Sequence, residues 1–153
     1  MVRHRPGRGT SPPRQIIFGR KPDSPAKARG ASRRFMQQLV PPIDGCAADD
    51  IELVVSELVT NAVRHAQSTT CVLGLDTRLD TVEVTVTGSD PALPCPRTPD
   101  LGGGGGGFGW PMVRSLAQKV TVVSVPNGKA VCVLMPRSQR AGLPECDARQ
   151  PAV

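Results

Sequence analysis

Residues Asp49–Ala66 read DDIELVVSELVTNAVRHA, and this stretch decides the fold. Apolar residues recur at Ile51, Val55, Leu58, Ala62 and Ala66, with Val54, Val59 and Val63 widening the stripe. That is the spacing of one helix with a buried side. Asp49 and Asp50 stand at its N-terminal end, where a carboxylate can cap free amides and meets the positive end of the dipole. No Pro or Gly interrupts the run. The polar side carries Glu57, Asn61 and His65 at i, i+4 and i+8, flanked by Thr60 and Arg64. Such groups stack in one direction. An acid, a carboxamide, an imidazole and a guanidinium together can hold a metal ion, polarise a water or meet phosphate oxygens. A solvated helix face uses the same residue types, and the helix alone does not choose between the two.

Upstream, Ile16–Phe18 reads as a short strand. Asp23 or Ser24, followed by Pro25, opens a helix that runs through Ala28, Ala31, Phe35 and Leu39. Pro41 and Pro42 stop it, and Ile43–Ala48 is a linker. Downstream, Thr69–Leu75 and Thr81–Thr87 read as strands joined by a turn at Arg78–Thr81, with Val82, Val84 and Val86 alternating cleanly. A loop rich in Pro and Gly follows and ends in six glycines, Gly102–Gly107. Gly109–Lys119 is a third helix carrying Met112, Val113, Leu116 and Ala117. Val120–Val125 and Ala130–Met135 are strands joined by the turn Pro126-Asn127-Gly128. This order predicts an α+β fold: a two-layer α/β sandwich whose mixed, mostly antiparallel sheet carries helices on one face.

At 153 residues the chain has room for one domain with a core. Arg3, Arg5, Arg8, Arg14, Arg20 and Lys21 precede any acid, and these six equal the whole formal charge of +6. With Pro and Gly interleaved, residues 1–15 read as a disordered basic tail, 16–136 as the folded domain and 137–153 as a flexible C-terminal tail. The tail lacks interleaved aromatic residues and the domain is near neutral, so no direct nucleic-acid contact is expected. Cys46, Cys71, Cys95, Cys132 and Cys146 are odd in number and show no metal spacing, which suggests neither a disulfide framework nor a zinc site. No apolar run is long enough to cross a membrane, and no apolar leader core follows the basic N-terminus. The default expectation is a cytoplasmic protein.

Glycines before a helix let backbone amides approach phosphate oxygens, and the helix start adds partial positive charge. A flexible linker has the same composition. The loop has no P-loop lysine and does not sit in a βαβ unit. Taken with the central helix, however, the arrangement resembles the histidine-kinase-like ATPase (GHKL) superfamily, and within it the small stand-alone anti-sigma-factor serine kinases of actinomycetes. The family's N-box has the form E-L-V-x-N-A-x-x-H, and the chain has Glu57-Leu58-Val59-Thr60-Asn61-Ala62-Val63-Arg64-His65. The second glycine box has the form G-x-G-L-x-L-V-x-x-L-A, and the chain has Gly107-Phe108-Gly109-Trp110-Pro111-Met112-Val113-Arg114-Ser115-Leu116-Ala117. The likeness runs over residues 16–136.

The resemblance implies a Bergerat-type fold that binds ATP and Mg²⁺. It gives Asn61 the metal, and Glu57 the task of orienting or deprotonating an attacking hydroxyl or water. Gly105, Gly107 and Gly109 would offer backbone donors to phosphates, with Asp90–Gly106 as the lid. The implied partner is a sigma factor or an anti-sigma-factor antagonist, the latter a candidate for phosphorylation; no membrane is involved, and a homodimer is compatible. Two positions depart from the pattern. Gly88 stands where the first glycine box has an Asp that accepts from the adenine amine, leaving Asp90, two residues on, as the substitute. Ala130 follows Gly128-Lys129 where a Thr usually stands near the base. Two lost base contacts weaken ATP by about a hundredfold. The alternative is therefore a non-catalytic protein-binding module of the same fold with weak or no ATP binding.

Overall fold

Eight elements form in the described part of the chain, residues 12–19, 21–65, 70–88, 109–126 and 128–138 of a computed structural model. In order they are β1 (Arg14–Gly19), α1 (Ser24–Gln37), α2 (Gly45–His65), β2 (Thr70–Thr77), β3 (Thr81–Gly88), α3 (Gly109–Leu116), β4 (Lys119–Val125) and β5 (Gly128–Pro136). Pro25 lies in the first turn of α1, where a missing N–H costs nothing. Ala28, Ala31, Ser32, Phe35 and Met36 form its buried stripe. The helix ends at Gln37, yet Leu39 still turns inward and is 4% exposed.

The central helix begins four residues earlier than its sequence suggests. Asp44 starts it: the Cys46 amide donates to Asp44 Oδ1 at 3.3 Å, and the Ala48 amide to the Asp44 carbonyl at 2.9 Å. Asp49 and Asp50 are thus not the cap; they sit in the second turn. Burial pushes the Asp50 carboxyl up from its ordinary value, and the charges of Asp49 and Asp44 add to the shift. A carboxyl raised on folding binds more protons in the native state, so its ionisation opposes folding as pH climbs through the native value. Asp50→Asn is therefore expected to stabilise the protein at pH 7 by up to about 0.5 kcal/mol, allowing for solvent screening, and to be neutral near pH 3. Thermal melts at the two pH values check this; a variant less stable at pH 7 would contradict it.

The strands form one sheet in the order β1-β2-β3-β5-β4. Every pairing among the described strands is antiparallel, so the mostly antiparallel sheet expected from sequence contains no parallel pair here. The two strands joined through α3 run in the same direction, but β5 inserts between them and pairs with both. Cys71, Leu73 and Leu75 of β2, Val82, Val84 and Val86 of β3, and Val131, Val133 and Met135 of β5 are all buried. They meet Ile51, Val54, Val55, Leu58 and Val59 of α2 and Phe35 of α1 in one core. That is a two-layer sandwich, helices on one face of the sheet.

Arg137, grouped with the C-terminal segment by its sequence, is only 6% exposed. Cys71 and Cys132 are free thiols. No helix among the described residues is long and apolar enough to cross a membrane.

Candidate functional site

The buried stripe of α2 faces the sheet, and this fixes where its polar side looks. Glu57 and Asn61, one turn apart, are both half-buried. Glu57 reaches the first residue of α3. A Cβ added at Gly109 would overlap Glu57 Oε2 and lie 2.6 Å from Cδ and 3.2 Å from Cγ. Real Cβ atoms do not approach so closely, so the carboxylate occupies space that only glycine leaves. The N-box helix and the glycine-headed helix are joined at this point. Trp110, next in α3, is 8% exposed and joins the core, with the Arg114 guanidinium 5.6 Å from its ring centroid.

Neither Glu57 nor Asn61 has a hydrogen-bond partner among the described residues. A base must be free to take a proton and a ligand amide free to offer its oxygen, so both are available. Thr60 is not: its hydroxyl donates back to the Ser56 carbonyl at 2.6 Å. Arg64 is exposed on the last turn, and the His65 side chain lies outside the described residues. Asp90, Gly105, Gly107 and the lid also lie outside them. Of the site residues expected from sequence, the structure therefore brings Glu57 onto Gly109, with Asn61 one turn further along α2.

The sheet closes the far side. Gly88, the last residue of β3, packs on α2 beside Asn61: a Cβ there would lie 3.5 Å from the Ala62 Cβ, ordinary contact distance. Across the ladder Gly88 pairs with Lys129, and Thr87 with Ala130. Because strand side chains alternate, Lys129 shares the face of buried Val131 and Val133, toward α2, and Ala130 faces away. The position that confronts Gly88 across the ladder is therefore Lys129. The parity of Val131, Val133 and Met135 in the sequence already contains this signal.

The groups at the contact of α2 and α3 suit a magnesium triphosphate by their chemistry. Among the described residues no three His, Cys, Asp or Glu side chains gather to hold a metal. A metal here would need its other ligands from phosphate and water, which is how Mg²⁺ is commonly bound. Asn61 can supply the one protein oxygen, and the glycine-headed start of α3 lies directly against Glu57. Gly88 has no side chain to accept from an adenine amine, and Asp90, the expected substitute, lies outside the described residues.

The histidine kinase-like ATPase domain family matches residues 20–135. None of the curated proteins matches the chain. The chain is similar in fold, with a TM-score of 0.61 and 18% identity, to a crystal structure of the RsbU and RsbW domains of Rv1364c from Mycobacterium tuberculosis. The superposition covers 85% of this chain and 34% of that one, so the chain spans about a third of that structure's length. A histidine kinase domain of a blue-light activated histidine kinase from Erythrobacter litoralis EL346 aligns over 59% of this chain and 44% of its own, with 26% identity and a TM-score of 0.41.

Proposed function

We propose, because the chain belongs to the histidine kinase-like ATPase domain family, that it is an ATP-binding regulatory protein of the anti-sigma-factor kinase type. The observation that carries this is the seat of Glu57 on Gly109, which fixes an unpartnered carboxylate at the head of a glycine-led helix. The bound Mg-ATP would supply the γ-phosphoryl group. Asn61 would hold the metal through its side-chain oxygen. The start of α3 would present backbone donors to phosphate oxygens. Glu57 would take the proton of an attacking Ser or Thr hydroxyl, or orient it. The acceptor we propose is an anti-sigma-factor antagonist, and the protein restrained between cycles is a sigma factor. A cytoplasmic location and a homodimer are consistent with this role and belong to the same proposal.

Trp110 makes the binding half of this testable. It is the only tryptophan in the chain and neighbours Gly109. Titration with Mg-ATP is expected to change its emission in a saturable way. Asn61→Ala is expected to weaken that binding about tenfold or more with Mg²⁺ present and to have little effect in EDTA. A parent protein with no saturable response to any nucleoside triphosphate would end the ATPase reading. It would support the second one, a partner-binding module that has abandoned nucleotide, which the Gly88 position favours.

A further inference from the structure

We propose that the outer face of the sheet docks a second copy of this chain, the two sheets packing face to face about a two-fold axis. The inference assigns a surface to the homodimer and needs no nucleotide. The helices share one core with the inner face, the side of Leu73, Val84 and Val133. Strand residues alternate, so the residues between these form an outward surface that crosses all five strands. Ile17, Val72, Thr87, Ala130 and Val123 are successive cross-strand partners in one row of it. Ile17 is 70% and Val123 49% exposed, so this band without charge reaches both edges of the sheet. The next row, from Gln15 to Thr121, carries no charge either. The third row runs Asp76, Glu83, Leu134 and Lys119, and holds all the charge of the face.

Charge selects the occupant. Glu83 already has its cation, with Arg78 Nη2 3.0 Å from Oε2. Asp76 accepts the Thr77 amide at 2.8 Å. Among the described residues neither Asp76 nor Lys119 forms an ion pair. They stand three strand spacings apart, about 14 Å, too far to meet within one chain. A two-fold axis running along the strands between β3 and β5 lays β2 of one copy over β4 of the other. Asp76 then faces the partner subunit's Lys119, and by symmetry Lys119 faces the partner subunit's Asp76. The same axis sets Val72 against the partner subunit's Val123. An isologous contact needs such a self-complementary pattern, and this face carries one. Sheets pack in this way about 10 Å apart with their strands within about 30°. Three rows over five strands measure about 20 Å by 24 Å, roughly 500 Å² per copy, so the pair reaches the roughly 1,000 Å² at which a specific interface begins.

Sedimentation of the full chain without nucleotide decides it, so the result does not depend on the ATPase reading. The parent should run as a concentration-dependent mixture of monomer and dimer. Asp76→Lys and Lys119→Asp should each weaken the dimer at least about tenfold, because each sets two like-charged pairs across the interface. An equimolar mixture of the two variants should recover the parent's affinity to within about threefold, since the heterodimer restores both pairs. Thermal melts check that each variant folds. Val123→Lys, at an exposed position, should weaken the dimer as well and keeps the surface under test if Asp76→Lys does not fold. A parent that stays monomeric at every concentration overturns the proposal and leaves the face to another partner. A dimer indifferent to all three substitutions places the interface elsewhere and overturns it too. Weakening by both charge variants without recovery on mixing refutes the two-fold pairing.

Discussion

Gly109→Ala is expected to slow γ-phosphoryl release by about a thousandfold, as much as Glu57→Ala does. The added methyl would stand where the Glu57 carboxylate now lies. One of the two must move, and the side chain yields before the backbone. The carboxylate then leaves the start of α3, and a proton acceptor displaced by about an ångström loses most of its effect. Because both substitutions abolish one contact, the double variant should be no slower than either single one. Single-turnover release of the γ-phosphoryl group from Mg-ATP measures this. Unfolding in denaturant gives a reading independent of turnover. Gly109→Ala should cost about 1–3 kcal/mol in the parent, the range for an overpacked site, and much less once Glu57 is Ala. Equal costs in the two backgrounds would show that the side chains do not compete for the same space.

What was legible in the sequence follows from the range of the interactions that set it. The stripe of α2 repeats within a helical turn, so Ile51, Val55, Leu58 and Ala62 announce it without reference to the rest of the chain. Its start is harder to see, because Asp44, Asp49 and Asp50 are all competent caps, and tertiary position selects Asp44. The alternation in β3 is equally local. The insertion of β5 between β3 and β4 is not, since it depends on pairing between residues more than forty apart, such as Val84 with Val133. The N-box could name Glu57 and Asn61, but only the packing of α3 on α2 shows why residue 109 must be glycine. At the base end, a glycine and an alanine each look like a lost contact. The register alone shows that Lys129, not Ala130, stands opposite Gly88 on the face of β5 that packs toward α2.

Arg137→Met is expected to lower stability by about 3 kcal/mol and the melting temperature by roughly 10 °C or more. The guanidinium is buried and ties two segments, Thr77–Arg78 and Pro41, to the end of β5. It donates to the Arg78 carbonyl at 3.1 Å, to Thr77 Oγ1 at a long 3.4 Å, and to the Pro41 carbonyl. The backbone of the same residue donates to the Asp80 carbonyl at 2.9 Å and accepts from the Asp44 amide at 3.2 Å. Methionine fills much of the volume but takes the guanidinium from the Pro41 carbonyl and leaves the Arg78 carbonyl with the Thr77 hydroxyl alone, and an unmet buried polar group costs about 1–3 kcal/mol. Arg137→Lys should recover less than half of the loss, because one compact ammonium cannot span acceptors that a planar fork reaches together. Asp44 opens α2, so the clamp also anchors the helix that bears Glu57. That residue lies more than three turns further along, where packing on the sheet and α3 holds it. Nucleotide affinity of the folded variant should therefore stay within about threefold of the parent. A stability loss under 1 kcal/mol would show that water replaces the guanidinium at these carbonyls, and that the end of the sheet holds α2 without it.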